Sequence, residues 1–204
     1  MTDSVGIFLF DEVEVLDFAG PFEVFSTAAR VKSRISPDEP GLFNVFTVGE
    51  TLQPIHARGG LTVSPGFSFS NHPQIDVLIV PGGVVTAELE KESVIAWIKQ
   101  VAASTKLTAS VCTGAFLLGK AGLLHNKTAT THWEDIADLR KMLPDTYIKE
   151  EARWIDEGDV VTSAGISAGI DMSLHLVARL AGEELAYRTA RQMEYDWKLA
   201  RENR

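Results

Sequence analysis

Residues 107–118 read LTASVCTGAFLL, an apolar run that ends at Cys112 and resumes with apolar residues at helical spacing. A strand that passes directly into a helix predicts a sharp turn with the thiol at its tip, and Gly114 permits the close backbone approach that such a turn needs. The start of a helix favours a thiolate and offers N–H groups to a developing anion. A lone cysteine is more often a small buried side chain, but ligands bind at the carboxyl ends of parallel strands. We therefore expect a nucleophile elbow at Cys112.

The same alternation of strand and helix recurs along the chain. Apolar runs at residues 5–10, 43–48 and 76–80 predict strands, and residues 92–103, 169–180 and 183–195 predict helices. Strands that alternate with helices indicate crossover connections and a parallel sheet, hence the α/β class. Residues 55–63 and 153–163 predict two hairpins added to that sheet. We expect a single domain over residues 1–204, without a helix-turn-helix module after Tyr195.

Composition excludes several classes of function. The 204 residues carry a net charge of −9, and the basic residues are scattered apart from a mixed-charge segment around Lys198, Arg201 and Arg204, which argues against nucleic-acid binding. No apolar run approaches the roughly 20 residues of a membrane-spanning helix, so we expect no membrane association. One cysteine cannot form an intramolecular disulfide, and no signal peptide opens the chain, which together favour the cytoplasm.

Two carboxylates follow the first predicted strand. Asp17 precedes Gly20 and Pro21, and a proline suits the first turn of a helix. Asp17 could reach the same sheet edge as Cys112, or it could be a helix N-cap. Glu23 could face solvent or turn inward as a second carboxylate.

Other candidates lie at turns. Gly82 and Gly83 close the strand at residues 76–80 and could direct N–H groups into the site as half of an oxyanion hole, or form only a turn. His132 follows Cys112 by twenty residues and could be its acid/base partner, or a structural histidine. The remaining histidines lack ligand spacing, so we expect no metal site. The glycine-rich residues 164–171 lack a nucleotide-binding fingerprint and predict a tight turn that lines the pocket or packs a helix.

Five segments together carry a family resemblance. They are residues 16–25 (LDFAGPFEVF), 80–83 (VPGG), 110–115 (SVCTGA), 130–133 (TTHW) and 163–171 (SAGISAGID). With these motifs the chain resembles the DJ-1/PfpI superfamily over nearly its whole length. It is most similar to the branch that contains isonitrile hydratases and the amidotransferase-like domains of AraC-type regulators. The resemblance implies a three-layer, flavodoxin-like sandwich with a central, mostly parallel sheet and helices on both faces.

The resemblance also implies a chemistry without a cofactor. Cys112 would attack the isonitrile carbon of a small-molecule substrate, Asp17 would handle protons, and a thioimidate intermediate would be hydrolysed to an N-substituted formamide. Thr113 would contribute a hydroxyl and Gly82 or Gly83 an N–H group. Gly20 and Glu23 belong to the same implied binding region, and a homodimer is expected. Much of the superfamily carries glutamate at position 17, so the aspartate favours the hydratase-like branch.

Two other functions fit the same motifs. One is a non-catalytic or effector-sensing domain in which an exposed Cys112 thiol of low pKa responds to oxidants. The other is a glyoxalase-like or amidase-like enzyme that directs the thiolate at a carbonyl. Loops such as residues 84–88 are expected to form the pocket walls that would decide among substrates.

Overall fold

A computed structural model describes residues 2–197; Met1 and residues 198–204, which include the basic residues Lys198, Arg201 and Arg204, lie outside the described residues. The strands are β1 (Asp3–Leu9), β2 (Phe43–Gly49), β3 (Ile55–His56), β4 (Thr62–Val63), β5 (Phe67–Ser68), β6 (Val77–Val80), β7 (Leu107–Val111), β8 (Thr128–Ala129), β9 (Tyr147–Ile148), β10 (Trp154–Asp156) and β11 (Val160–Ser163). The helices are α1 (Val15–Ile35), α2 (Thr86–Leu89), α3 (Glu92–Ala102), α4 (Gly114–Lys120), α5 (Ile136–Met142), α6 (Ala168–Ala181) and α7 (Glu183–Gln192).

The central sheet has the order β10-β11-β7-β6-β1-β2-β5 in the described part of the chain. All neighbouring strands in it are parallel except β10 and β11, which form an antiparallel edge pair. Every residue of β6 and β7 is buried, as expected for strands covered on both faces. The predicted mostly parallel sheet is therefore confirmed.

Helices cover both faces of this sheet. On one face α1, α6 and α7 pack together, and on the other α4 packs against β6, β7 and its neighbours α2, α3 and α5. The core between the layers is built from large apolar side chains such as Phe8, Phe25 and Ile79. The architecture is the predicted three-layer flavodoxin-like sandwich, and it brings the carboxyl ends of β1, β6 and β7 to one edge. No helix among residues 2–197 is long and apolar enough to cross a membrane.

Three local expectations differ from the structure. Helix α1 begins at Val15, so Pro21 is its seventh residue rather than part of its first turn, and Asp17 C=O loses its usual N–H donor four residues on. The hairpin of β3 and β4 forms its own small sheet instead of extending the central one. The last helix, α7, ends at Gln192 rather than at Tyr195.

Candidate active site

Cys112 occupies a strained turn between β7 and α4. Its φ of 54° lies in the left-handed region, which costs a non-glycine residue about 1–3 kcal/mol. Gly114 permits the turn, because a Cβ there would lie 2.1 Å from Val80 O. The hydroxyl of Thr131 donates to Cys112 C=O at 2.8 Å, and Cys112 N–H lies 3.3 Å from the carbonyl of Ala164. The elbow predicted at Cys112 is thus present, and hydrogen bonds to both the C=O and the N–H group of Cys112 hold it in place.

Asp17 lies at the same edge of the sheet. It is the third residue of α1 and is fully buried, and the N-cap position belongs to Glu14 instead. The Oδ2 atom of Asp17 accepts a hydrogen bond from Gly82 N–H at 3.1 Å. The Oδ1 atom is buried without a hydrogen-bond partner. Such an atom normally finds a partner, so its free acceptor capacity marks Asp17 as a candidate functional group.

The two side chains perturb one another. Burial raises the pKa of Asp17 from 3.8 to about 7, although the Gly82 N–H bond and the neighbouring thiol both work in the opposite direction. Burial, with the Asp17 charge added, raises the pKa of Cys112 to about 12, and the N–H of Thr113 opposes this rise. No S–H···O hydrogen bond of ordinary geometry joins the pair.

The resting form of the pair follows from these pKa values. At neutral pH the thiol of Cys112 keeps its proton while Asp17 is about half ionised. The sequence-based expectation of a thiolate stabilised at a helix start is therefore wrong, because helix α4 does not offset the burial. Cys112 is 7% exposed, so the exposed thiol of low pKa that oxidant sensing would need is also not found.

The two glycines after β6 hold the site together. Gly82 N–H donates to Asp17, and Gly83 N–H donates to the hydroxyl of Thr113 at 2.9 Å. That hydroxyl also lies 2.8 Å from Gly83 C=O. A Cβ on Gly82 would approach Thr113 Oγ1 to 2.5 Å. Both N–H groups thus have partners within the protein, which leaves neither as a free donor for an oxyanion hole in this structure.

The polar partners of His132 lie on its own segment of chain. Its Nδ1 lies 3.5 Å from Asp135 and 3.7 Å from Glu134, and a Cβ on Gly165 would lie 2.1 Å from the ring. Among residues 2–197 no hydrogen bond joins His132 to Cys112. The structure thus does not support the predicted acid/base pairing, and it favours the structural role for this histidine.

Gly20 and Glu23 also lie outside the reacting centre. Gly20 faces α6, where a Cβ would lie 3.0 Å from Ile170, so its small size serves helix packing. Glu23 is exposed and bonds to Thr27 and Arg30 on its own helix. Of its two predicted orientations, Glu23 adopts the one that faces solvent.

A cavity of about 770 Å³ adjoins the elbow. It is lined by residues of three segments, at positions 130–140, 150–153 and 164–167, and not by the predicted loop at residues 84–88. The glycine-rich turn fulfils both of its predicted roles, since Gly165 lines the cavity and Gly169 packs on Val111. Ile166 belongs to that turn, and Arg153 is a lining residue that no sequence motif indicated. Among the residues described, no cluster of three or more His, Cys, Asp and Glu side chains could hold a metal ion.

Comparisons with known proteins place this geometry in context. The model of the DJ-1/PfpI family matches residues 3–179. The isonitrile hydratase of Pseudomonas putida is 36% identical over 196 residues, which cover 96% of this chain and 79% of that protein. The HTH-type transcriptional regulator GbdR of Pseudomonas aeruginosa is 28% identical over 193 residues, and the match covers 95% of this chain but 51% of the regulator. A THiJ/PfpI family protein from Pseudomonas syringae superposes with a TM-score of 0.84 at 27% identity, covering 98% of this chain and 77% of that one.

Proposed function

The chain belongs to the DJ-1/PfpI family, and from that premise we propose that it hydrates small isonitriles to N-substituted formamides through Cys112 and Asp17. One observation carries the proposal: a thiol on a strained elbow lies beside a buried carboxyl group that has one unpartnered oxygen. The 36% identity to an isonitrile hydratase supports the same reaction.

The pair suits a substrate that takes sulfur and hydrogen at a single atom. An isonitrile, R–N≡C, undergoes addition of both groups at its terminal carbon. The carboxylate of Asp17 removes the proton of the Cys112 thiol as the sulfur forms a bond to that carbon. Asp17 then delivers the same proton to the carbon, which gives the thioimidate R–N=CH–S–Cys112. A neutral thiol next to a partly ionised carboxyl is the starting state that this step requires.

Hydrolysis of the thioimidate returns both groups to their starting state. A water molecule adds its oxygen to the carbon while Asp17, again a carboxylate, removes one of its protons. The C–S bond then breaks, and the sulfur leaves as a thiol with the proton that Asp17 carries. The other water proton ends on nitrogen, so the product is R–NH–CHO and no cofactor is consumed.

Thr113 and the two glycines position this chemistry. Thr113 N–H lies against the sulfur and lowers the pKa of Cys112, so it stabilises negative charge as the thiol gives up its proton. Gly82 N–H fixes one oxygen of Asp17 and leaves the other for the proton transfers. A carbonyl-directed glyoxalase or amidase would need free donors for an oxyanion, and the N–H groups of Gly82 and Gly83 are already bonded. The hydratase is therefore favoured over that alternative.

Hydration of para-nitrophenyl isocyanide by the purified protein tests the proposal, with the formamide followed by absorbance. We expect turnover by the wild type, none above background for Cys112→Ala, and a loss of about 100- to 10,000-fold for Asp17→Asn. Glu23→Gln changes an exposed carboxylate on the same helix and serves as the matched control, with activity unchanged. A wild-type protein with reduced Cys112 and no turnover would overturn the proposal.

An effector-binding domain is the second candidate. The regulator GbdR aligns with 95% of this chain, and the cavity beside Cys112 has a volume suited to a small effector. The chain matches about half of that regulator, so DNA-linked regulation is not carried over with the alignment. Binding of a small molecule without conversion would favour this candidate over the enzyme.

We also propose a homodimer in a reducing compartment such as the cytoplasm, since the reaction needs Cys112 as a free thiol. Leu16 on α1 and Leu61 beside β4 are exposed apolar side chains, and the Glu14–Arg58 ion pair joins the two elements into one surface. Light scattering should give twice the mass of one chain for the wild type and a lower mass for Leu61→Lys. The control Tyr187→Lys changes an exposed side chain on α7 and should leave the mass unchanged. A monomeric wild type would refute the dimer.

A further inference from the structure

The cavity is connected to the backbone of Cys112 through its lining, although Cys112 is not itself a lining residue. Two of its lining residues bond to that backbone, since the Thr131 hydroxyl donates to Cys112 C=O and Ala164 C=O lies 3.3 Å from Cys112 N. We infer that this cavity binds the organic substituent of the substrate, and that the substituent is a neutral aromatic ring held by Trp133 and Ile166. The inference rests on the proposed function for the reacting group, but it concerns the other end of the substrate.

The apolar side chains of the cavity leave a large area open to water. Trp133 is 75% exposed, and Ile166 is 39% exposed. Both line the cavity, so a bound ring would cover them. Burial of apolar area contributes about 25 cal/mol per Å², and an aromatic partner also stacks on the indole face. These two residues therefore favour an aromatic substituent over a small polar one.

The backbone of Ile166 supports a role in binding. Its φ of 51° lies in the left-handed region, where a β-branched side chain is a genuine outlier and costs about 1–3 kcal/mol. Ile166 lines the cavity one residue beyond Gly165, where a Cβ would lie 2.1 Å from His132. Strained residues of this kind cluster at ligand-binding sites.

The charges around the cavity select against an anionic substituent. Arg140 pairs with Glu150, and Arg153 pairs with Asp171, so both arginines that line the cavity are neutralised by protein carboxylates. Glu134 and Glu151 add further negative charge to the lining. A carboxylate on the substrate would meet this charge without a free cation among the described lining residues. The volume of about 770 Å³ is ample for one substituted ring.

Two probes of matched size separate these expectations. We would measure the binding of neutral 4-methylphenyl isocyanide and anionic 4-isocyanobenzoate to the Cys112→Ala protein by calorimetry, where no covalent adduct forms. The neutral probe should bind at least about tenfold more tightly. Adding Trp133→Ala should weaken its binding about tenfold, and adding Ile166→Ala about threefold. Tyr147→Ala removes an aromatic side chain whose exposure is similar to that of Trp133 but which lies outside the cavity. This control variant should bind the neutral probe as tightly as the Cys112→Ala protein.

The outcomes separate this inference from the proposed hydratase activity. Equal binding of the two probes, or binding that Trp133→Ala and Ile166→Ala do not weaken, would overturn the assignment of the cavity. Formamide production by the wild type in that case would leave the hydratase activity standing. Conversely, tight and Trp133-dependent binding of the neutral probe with no turnover would support the cavity assignment while the hydratase activity fails.

Discussion

Two buried carboxyl groups in this protein share the features by which catalytic acids are often recognised. Asp17 in α1 and Glu88 in α2 are both almost completely buried, and each has one oxygen without a hydrogen-bond partner. Burial raises the pKa of both groups above the ordinary value. A search for orphaned oxygens or perturbed pKa values alone would rank them together.

Their neighbours separate them. The other oxygen of Glu88 bonds to Lys91 Nζ at 2.8 Å, so its charge is matched within the protein. Among the described residues Asp17 forms no ion pair, and its close neighbour is the Cys112 thiol on a strained turn. An unpartnered oxygen on a buried carboxyl group therefore indicates a functional residue here only where a nucleophile lies next to it. Variants of Asp17 and Glu88 test this difference directly.

The largest difference between the two carboxyl groups should lie in the pH dependence of hydration. The proposed mechanism starts with Asp17 as carboxylate and Cys112 as thiol, and the pKa of Asp17 is raised to about 7. The value of kcat/KM should therefore rise with pH to a plateau above pH 7 and be about 100-fold lower at pH 5, tenfold for each pH unit. Initial rates with para-nitrophenyl isocyanide between pH 5 and 9 give this profile.

Glu88→Gln is the control for that profile, and the midpoint near pH 7 should stay in place because Glu88 does not touch the reacting groups. A midpoint that moves in Glu88→Gln would break the distinction between the two carboxyl groups. A kcat/KM that falls as the pH rises through 7 would show that the protonated form of Asp17 is the reactive one, which contradicts the proposed first step.

The central fold could be predicted because its strands leave a simple pattern. Strands β1, β6 and β7 are buried on both faces, so they read as short continuous apolar runs, and the elbow follows from one such run meeting a helix at Cys112. Pro21 predicts a first helical turn, whereas α1 begins six residues earlier, at Val15. The sequence predicts the pairing of β3 with β4, but the place of this hairpin outside the central sheet depends on packing that no local pattern records.

The sequence predicts which residues form the candidate site better than it predicts their protonation and hydrogen bonding. Asp17 follows β1 and Cys112 follows β7, the two strands that flank β6 in the parallel sheet, so the topology brings both residues to the same edge. Glu23 lies six residues after Asp17, about 240° around the helix at 3.6 residues per turn, and could have been assigned to solvent on that ground. The direction of the Gly82 N–H group and the protonation of the thiol depend on backbone torsions and burial, which only the structure shows.

A smaller difference between the two carboxyl groups should appear in stability. Asp17 titrates near 3.8 in the unfolded chain and near 7 in the folded one, so its contribution to stability is fully present below pH 3.8 and is lost as the pH rises through 7. Asp17→Asn removes the buried charge, so above pH 7 it should raise the free energy of unfolding by about 2 kcal/mol. This gain is smaller than the free energy that corresponds to the whole pKa shift of Asp17, because the NH₂ group of the asparagine finds no acceptor. The free energy of unfolding should rise less for Glu88→Gln, because this variant leaves Lys91 without its ion-pair partner. Urea unfolding at pH 8 and pH 4 measures both variants. An Asp17→Asn protein that gains no stability at pH 8 relative to pH 4 would show that the carboxyl is not strained by burial, and the two carboxyl groups would then no longer differ in this respect.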